Sequence, residues 1–445
     1  MCRSLLVEDA RDMRYLIETW GCQMNSHDSE KLEGLLLKDG HEAAVDLEDA
    51  DLVILNTCSI REKAVHKVYT RLGYLREAKR KRPIIIGVMG CLAQQEKSLL
   101  RRMPQVDFVL GTMAIQQLPN VLRKALDKER VADINVYPDS HLFPVEAIKR
   151  SNNAAKAMVT IIEGCNHACT YCIVPTTRGS ERHRPFKDII EEVRTLVAQG
   201  FREVELLGQN VNSFQGGCSF ADLLNMIAEI EDLEWIRFST SHPINFTSSL
   251  AKVMVNNKKV TPFLHLPVQS GSDDILRRMR RGYTVAQYLD RLRYLGDGPE
   301  DLCVSTDFIV GFPGETDADF EATMELLDLV KFDISFSFIY SPRPGTPAEK
   351  LRDDLPYSVK LKRLQILKAR QNEITILSNS KMIGRKLKVR VEADSLLSGG
   401  YWLARTPNWK NVHIHAPIGV QLPFRRLVDV EIVDAGPHFL QAVLA

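Results

Sequence analysis

Three cysteines fall in one short run, Cys165-Asn166-His167-Ala168-Cys169-Thr170-Tyr171-Cys172. A C-x3-C-x2-C loop can hold three irons of a cubane iron–sulfur cluster and leave the fourth iron without a protein ligand, open for chemistry. Zinc is the rival occupant, with His167 or His183 as the fourth ligand of a structural site. A second triplet is spread over the first hundred residues: Cys22 in Trp20-Gly21-Cys22, Cys58 in Asn56-Thr57-Cys58 and Cys91 in Met89-Gly90-Cys91. Each directly follows an apolar run that reads as a strand, and in an open parallel α/β sheet such positions converge on the carboxyl edge. A shared ligand site is one reading and three core cysteines the other, since cysteine is among the most buried residue types. Ser59-x-x-Glu62 has the pattern of a capping box, which places Cys58 beside a helix N-terminus, where the dipole favours thiolate. Cys2, Cys218 and Cys303 lack such surroundings and read as structural.

The elements that must position these groups follow from periodicity. Short apolar runs at Tyr15–Ile17, Leu52–Leu55, Ile84–Val88 and Phe108–Leu110 alternate with helical patterns near 28–38, 60–80 and 94–102. That alternation predicts an open parallel α/β sheet over 13–140. A polar stretch ending Lys149-Arg150-Ser151-Asn152-Asn153 reads as a linker. From 151 to 379 six strand candidates, Met158–Ile162, Val204–Leu207, Trp235–Ser239, Phe263–Leu266, Val304–Val310 and Ser335–Tyr340, alternate with helices, the clearest at 187–199, 219–231 and 316–330. Six βα units predict a partial (β/α)6 barrel related to the closed eightfold one, with its ligand site at the carboxyl ends of the strands. Over 380–445 the runs Leu387–Val391, Val412–His415, Leu427–Val433 and Phe439–Val443 predict a small β-barrel.

The 445 residues are 44% hydrophobic and 26% charged, which excludes a disordered or fibrous chain. Lys plus Arg number 58 and Asp plus Glu 57, a balance that neither demands nor excludes a nucleic-acid partner. Residues 381–445 carry nine Lys plus Arg against five Asp plus Glu. With Tyr401, Trp402 and Trp409 interleaved, that segment suits nucleic-acid binding through phosphate contacts and stacking, or is an ordinary, mildly basic barrel. The longest apolar run, Ile84–Ala93, is far short of the roughly 20 residues that span a bilayer. An acidic start at Glu8, Asp9 and Asp12 is no secretory signal, and nine cysteines without one are expected to stay reduced. The chain is expected to be soluble and cytoplasmic.

With both triplets in view, the sequence resembles the radical S-adenosylmethionine methylthiotransferases over nearly its whole length, and among them the branch that acts on tRNA. The resemblance is carried by Asn56–Glu62 (NTCSIRE), Gly208–Ser213 (GQNVNS), Leu264–Ser272 (LHLPVQSGS), Asp307–Glu315 (DFIVGFPGE) and Tyr340–Ala348 (YSPRPGTPA). Ser59–Glu62 is nearer to that branch than to relatives directed at a ribosomal-protein aspartate or at threonylcarbamoyladenosine. The resemblance implies two 4Fe-4S clusters and S-adenosylmethionine. Cys165, Cys169 and Cys172 would carry the cluster that binds and reductively cleaves S-adenosylmethionine, and Cys22, Cys58 and Cys91 the auxiliary cluster that supplies sulfur. The implied substrate is N6-isopentenyladenosine beside the anticodon of tRNA, whose C2–H is replaced by a methylthio group with the methyl drawn from a second S-adenosylmethionine. An aromatic C2–H is neither acidic nor electrophilic, so a cofactor must carry such a step. The implied partners are the tRNA anticodon stem-loop and an electron donor such as flavodoxin or ferredoxin; a monomer away from any membrane is expected.

The sequence departs from the family pattern at Thr176, where Tyr is common, at His183, where a small residue is usual, and at Ala404, where Gly is usual. Residues 1–12 look like an extension, with Met13 a candidate start. Beside the clusters, Tyr171 is expected to shield the cluster or touch the adenine of S-adenosylmethionine, with a core tyrosine as the alternative. Gln209, Asn210, Asp307, Gly311 and Glu315 are expected at the cofactor, against turn geometry as the plainer reading. Arg277, Arg278, Arg280 and Arg281, and Arg405 in the tail, are candidates for tRNA contact, where a solvated basic face is the alternative. Two other functions compete: the same chemistry on a protein side chain, and a metal-stabilised RNA-binding protein without catalysis.

Overall fold

Runs of β-branched and aliphatic residues bounded by Gly and Asp form the first sheet. The computed structural model describes residues 12–58, 62–96, 98–137, 148–150, 154–296, 298–299, 301–393, 396, 400–417 and 419–445. They fall into two units: those within 1–151 joined by Ile173–Ser180, and those within 152–172 and 181–445. The proposed extension up to residue 11, Ser59 of the capping box and the 151–153 end of the linker lie outside the described residues.

In the first unit β1 (Arg14–Trp20), β2 (Glu42–Ala43), β3 (Leu52–Thr57), β4 (Ile85–Gly90), β5 (Phe108–Leu110) and β6 (Val131–Asp133) form one parallel sheet in the order β2-β1-β3-β4-β5-β6. Alternate residues of β3 serve opposite faces. Leu52 and Ile54 meet Leu32, Leu36 and Val121, whereas Val53 and Leu55 meet Val68, Leu72 and Leu75. A sheet covered by helices on both faces needs this continuous apolar run, which is why its central strands were legible. β2 and β6 are two and three residues long and carry no such run.

The second unit holds β7 (Ala157–Thr160), a short hairpin of β8 (Ile162–Glu163) and β9 (Arg182–His183), then β10 (Glu203–Leu207), β11 (Trp235–Phe238), β12 (Phe263–His265), β13 (Cys303–Val310) and β14 (Ile334–Ile339). β7, β10 and β11 pair in parallel, as do β12, β13 and β14, and a parallel bridge from Ile236 to Val260 links the two sets. All six expected strands of the partial barrel are present. Phe308 and Val310 face the helices, and Asp307, opposite Phe336 in register, faces the other way.

A 24-residue helix, Tyr357–Ser380, leads into a closed barrel of β15 (Lys386–Val391), β16 (Trp402–Arg405), β17 (Asn411–His415), β18 (Leu427–Ala435) and β19 (Leu440–Leu444). This barrel belongs to the same unit as the partial barrel. Arg237 on β11 and Arg390 on β15 both bind the buried Glu203 carboxylate, at 2.5 and 2.7 Å, and Arg237 also donates to the carbonyls of Thr406 and Pro407. Burial alone would raise the Glu203 carboxyl, but the two guanidiniums hold it below the usual carboxylate range. Among the described residues no helix is long and apolar enough to cross a membrane.

Candidate functional site

Parallel pairing alone carries the first three cysteines to one sheet edge. β1, β3 and β4 are neighbours, and Trp20, Thr57 and Gly90 form their last in-register row. Cys58 and Cys91 are the next residues on their strands, Cys22 lies two beyond Trp20, and the Cys58 N–H donates to Trp20 O at 3.0 Å. The glycines beside them are sterically required. Gly90 has φ +92°, and a Cβ there would lie 2.6 Å from Asn56 Oδ1 and from Thr57 O; one at Gly21 would lie 2.4 Å from Asn25 Oδ1. Asn56 locks the Cys22 side to β3, donating to Asn25 O at 2.7 Å and Ser29 Oγ at 2.8 Å while accepting from Asn25 Nδ2 at 3.1 Å.

Cys22 caps the helix Gln23–Lys38 and Cys91 opens the helix Cys91–Gln95. A hydrogen bond with Cys58 pulls the Cys22 thiol down to about 6; burial opposes it, and the charge of Arg178 and the N–H groups of Asn25 and Met24 assist. Burial pushes the Cys91 thiol up, with Arg178 working the other way. Arg178 itself is buried and ion-paired with buried Asp28 at 2.6 Å. Three thiols, glycine-lined backbone and a guanidinium form a donor set that fits a thiolate-bound, negatively charged cluster.

In the second unit the loop Cys165–Cys172 is pinned from several sides. The Gly164 N–H donates to Gln209 Oε1, Thr170 N–H to Met279 O at 3.0 Å, Thr170 Oγ1 to Arg278 O at 3.0 Å, and Ala348 N–H to Thr170 O at 2.9 Å. Buried Arg281 donates to Cys169 Sγ at 3.3 Å and is aimed there by Pro267 O at 3.0 Å and the Tyr283 hydroxyl at 3.0 Å. Burial pushes the Cys165 thiol up. The His167 ring stacks on His242 at 3.8 Å between centroids and hydrogen-bonds Asn245 Oδ1, which also accepts from Asn210 Nδ2. His183 Nδ1 accepts from Gln215 N–H, so both histidines that would complete a zinc site have other partners. Among the described residues no three His, Cys, Asp or Glu side chains gather around a point that would hold one metal ion.

Unused hydrogen-bonding capacity marks the mouth of the partial barrel. Asn210 Oδ1, Ser241 Oγ and His242 Nε2, just beyond β10 and β11, are buried and find no partner among the described residues. His242 Nδ1 accepts from Ile244 N–H, which leaves the proton of the neutral ring on Nε2. Burial, then the charge of Arg281, holds that ring neutral far below the usual imidazole range. Such orphaned atoms fit a polar ligand that would satisfy them, in the place where barrel enzymes bind theirs.

Several expected contacts are corrected. Arg281 is no tRNA contact: Arg280 adopts a left-handed turn (φ +55°), so Arg277, Arg278 and Arg280 face solvent and Arg281 turns inward. Arg277 and Arg278 both pair with Asp274. Glu315 is a turn residue, accepting from Gly311 N–H at 2.7 Å and from Arg363 at 2.6 Å, so its carboxylate is already engaged; Gly311 (φ +70°) lies under Lys360. Asp307 lies within β13 rather than at its end, 3.6 Å from His265. Tyr171 is partly buried and packs against Ile275, Met279, Phe312 and Tyr340. Arg405 is largely covered, bound to Glu392 at 2.7 Å and lying over Trp409. Trp402 fills the small barrel and Trp409 stacks on Phe263, so neither offers a free face; Tyr401 instead stacks on His413, which stacks on Phe439. Sequence reasoning missed Arg178, Asp28, Ser241 and His242, although Arg178 lies two residues beyond Thr176, a position already singled out.

Residues 14–111 match Uncharacterized protein family UPF0004 and residues 159–327 the Radical SAM superfamily. A tRNA-2-methylthio-N(6)-dimethylallyladenosine synthase of Anaeromyxobacter dehalogenans (strain 2CP-C) is 44% identical, over 96% of this chain and 94% of its own. The chain belongs to this synthase family. A synthase of Aeromonas hydrophila is likewise 44% identical, over 96% of this chain and 90% of its own. Among solved structures, the radical S-adenosylmethionine methyltransferase TsrM of Kitasatospora setae, with cobalamin and a 4Fe-4S cluster bound, superposes with a TM-score of 0.58 at 13% identity. That match covers 75% of this chain and 74% of TsrM and supports the fold of the synthase alone.

Proposed function

We propose that the chain converts N6-isopentenyladenosine beside the anticodon of tRNA to its 2-methylthio derivative. The observation that carries this is a pair of cysteine triplets, each at the carboxyl edge of its own parallel sheet, in a member of the synthase family. Cys165, Cys169 and Cys172 hold the 4Fe-4S cluster that binds S-adenosylmethionine, and Cys22, Cys58 and Cys91 hold the auxiliary cluster. When bound and reduced, the first group would supply the electron that cleaves S-adenosylmethionine to methionine and a 5′-deoxyadenosyl radical able to take hydrogen from an unactivated C–H, and the second would supply sulfur.

The chain's own residues prepare that chemistry. Arg281 places a fixed positive charge on Cys169, and Gln209 fixes the entry of the loop through Gly164. Asn210, Ser241 and His242 offer an acceptor, a hydroxyl and an Nε2–H donor to the polar groups of S-adenosylmethionine. Tyr171, packed with Phe312 and Tyr340, excludes water beside Cys172. Arg277, Arg278 and Arg280 face solvent, where tRNA phosphates are reached. Segments 13–140, 151–379 and 380–445 serve the auxiliary cluster, radical generation and tRNA, respectively. The protein works as a cytoplasmic monomer fed by flavodoxin or ferredoxin.

The test is mass spectrometry of nucleosides from isopentenylated tRNA incubated anaerobically with reconstituted protein, reductant and S-adenosylmethionine. A methylthio adduct on isopentenyladenosine is expected. 5′-Deoxyadenosine without any tRNA adduct would overturn the acceptor, and neither product at full iron loading would overturn the enzyme.

A further inference from the structure

Arg178 enters the first unit from outside its sheet. Ile173–Ser180 follows Cys172 in the chain yet folds with residues 1–151. Thr112 Oγ1 donates to Thr177 O, the short helix Val174–Arg178 packs against Cys91–Gln95, and Gly179 turns with φ +75° under Met113. The segment thereby delivers a guanidinium that is 4% exposed to the edge where Cys22, Cys58 and Cys91 gather. Its carboxylate partner is Asp28, on the helix that Cys22 caps, and Lys31, also buried, lies 3.6 Å from the other oxygen of Asp28. A thiolate-bound iron–sulfur core is negatively charged, and a buried guanidinium held at the same edge suits it. The guanidinium is thus held between the helix that Cys91 opens and the helix that Cys22 caps.

We infer that Arg178 is a positioning residue whose fixed positive charge raises the reduction potential of the centre held by Cys22, Cys58 and Cys91. The inference rests on the reading that this triplet carries a cluster. Cluster potentials respond to net charge and to hydrogen bonds at the sulfurs, and a cation beside the thiolates favours the reduced, more negative state. Its role is therefore to keep the auxiliary centre easier to reduce than the same three cysteines would make it alone.

The experiment uses the full chain carrying Cys165→Ala, Cys169→Ala and Cys172→Ala, reconstituted anaerobically, so that only the auxiliary centre remains. Iron and sulfide content are measured, then the midpoint by a redox titration followed by electron paramagnetic resonance. Adding Arg178→Met is expected to shift the midpoint to more negative potential, with Arg178→Lys between it and the parent. An unshifted midpoint in Arg178→Met, or equal shifts in both variants, overturns the inference. Should Arg178→Met fail to retain iron, release to a chelator decides: loss in Arg178→Met with retention in Arg178→Lys supports the role of charge, and equal loss in both overturns it. A parent that binds no iron overturns the cluster reading itself, whereas a loaded parent with an unshifted variant overturns only the role of Arg178.

Discussion

The two cysteine triplets reach similar chemistry by opposite routes. Cys165, Cys169 and Cys172 lie within eight residues, so one loop brings them together, and the surrounding fold adds anchors such as Gln209 and Met279. Cys22, Cys58 and Cys91 meet only because β1, β3 and β4 pair in register and Asn56 ties the helix Gln23–Lys38 to β3. Each nonetheless has one buried arginine, Arg281 beside Cys169 and Arg178 beside Cys91 and Cys22. Local spacing can encode the donors of a site, but the charge that steadies them comes in both cases from elsewhere in the chain.

The largest test of this contrast removes one donor from each triplet. Cys165→Ala is expected to abolish both 5′-deoxyadenosine and the methylthio product, whereas Cys58→Ala abolishes only the product; chromatography of both products checks it, and loss of 5′-deoxyadenosine in Cys58→Ala would break the division of labour. Next in size, Gly90→Ala forces a side chain into a left-handed position against the Thr57 carbonyl, with a strain of about 1–3 kcal/mol. It should lower the denaturant midpoint and empty the first triplet while the second keeps its iron, so the iron count should fall by half. Asn56→Ala leaves buried polar groups unpaired, a loss of about 1–3 kcal/mol, and should weaken the same triplet selectively.

A finer distinction is one of protonation. In the metal-free chain the Cys22 thiol ionises near 6, so its alkylation by iodoacetamide should rise as pH climbs through 6 and level off above it, while Cys91 stays a thiol and reacts slowly at pH 7. Peptide mass spectrometry across pH 5–9 reads this, and a Cys22 profile that rises only near pH 9 would contradict it. Smallest of all, His167→Ala removes a ring stack and one hydrogen bond from the local loop, a change of about 1 kcal/mol in stability, and should leave the iron of the second triplet in place.

What the sequence made legible follows the same division. Both triplets and the strands behind them carried local signals: apolar runs, fixed spacing, glycines beside cysteines. The helix Tyr357–Ser380 did not, because the stripe it buries, including Lys360, Arg363, Gln371, Thr375 and Asn379, is mostly polar and satisfied by partners such as Glu315 and the Phe332 carbonyl. Hydrophobic periodicity has nothing to register there. Arg281 was misread because its inward turn depends on a left-handed Arg280 and on Pro267, fourteen residues earlier. Trp402 was misread because its side of β16 faces the interior of a barrel whose closure depends on β15 and β17. Arg178 stayed invisible since nothing in its own segment announces that it folds with an earlier part of the chain.

The contact between the small barrel and the strands beneath it has a bearing on how such chains diverge. Glu203 is shared by a guanidinium from each side, and neither Arg237 nor Arg390 has an alternative route to water. Without residues 381–445 the Glu203 carboxylate would lose one of its two cations and Arg237 its two carbonyl partners, so the C-terminal piece serves as a keystone of the partial barrel. Recombination that swapped it for another module would have to deliver a cation to the same spot at the same moment. The order of parts in this chain is thus tied to a single buried carboxylate.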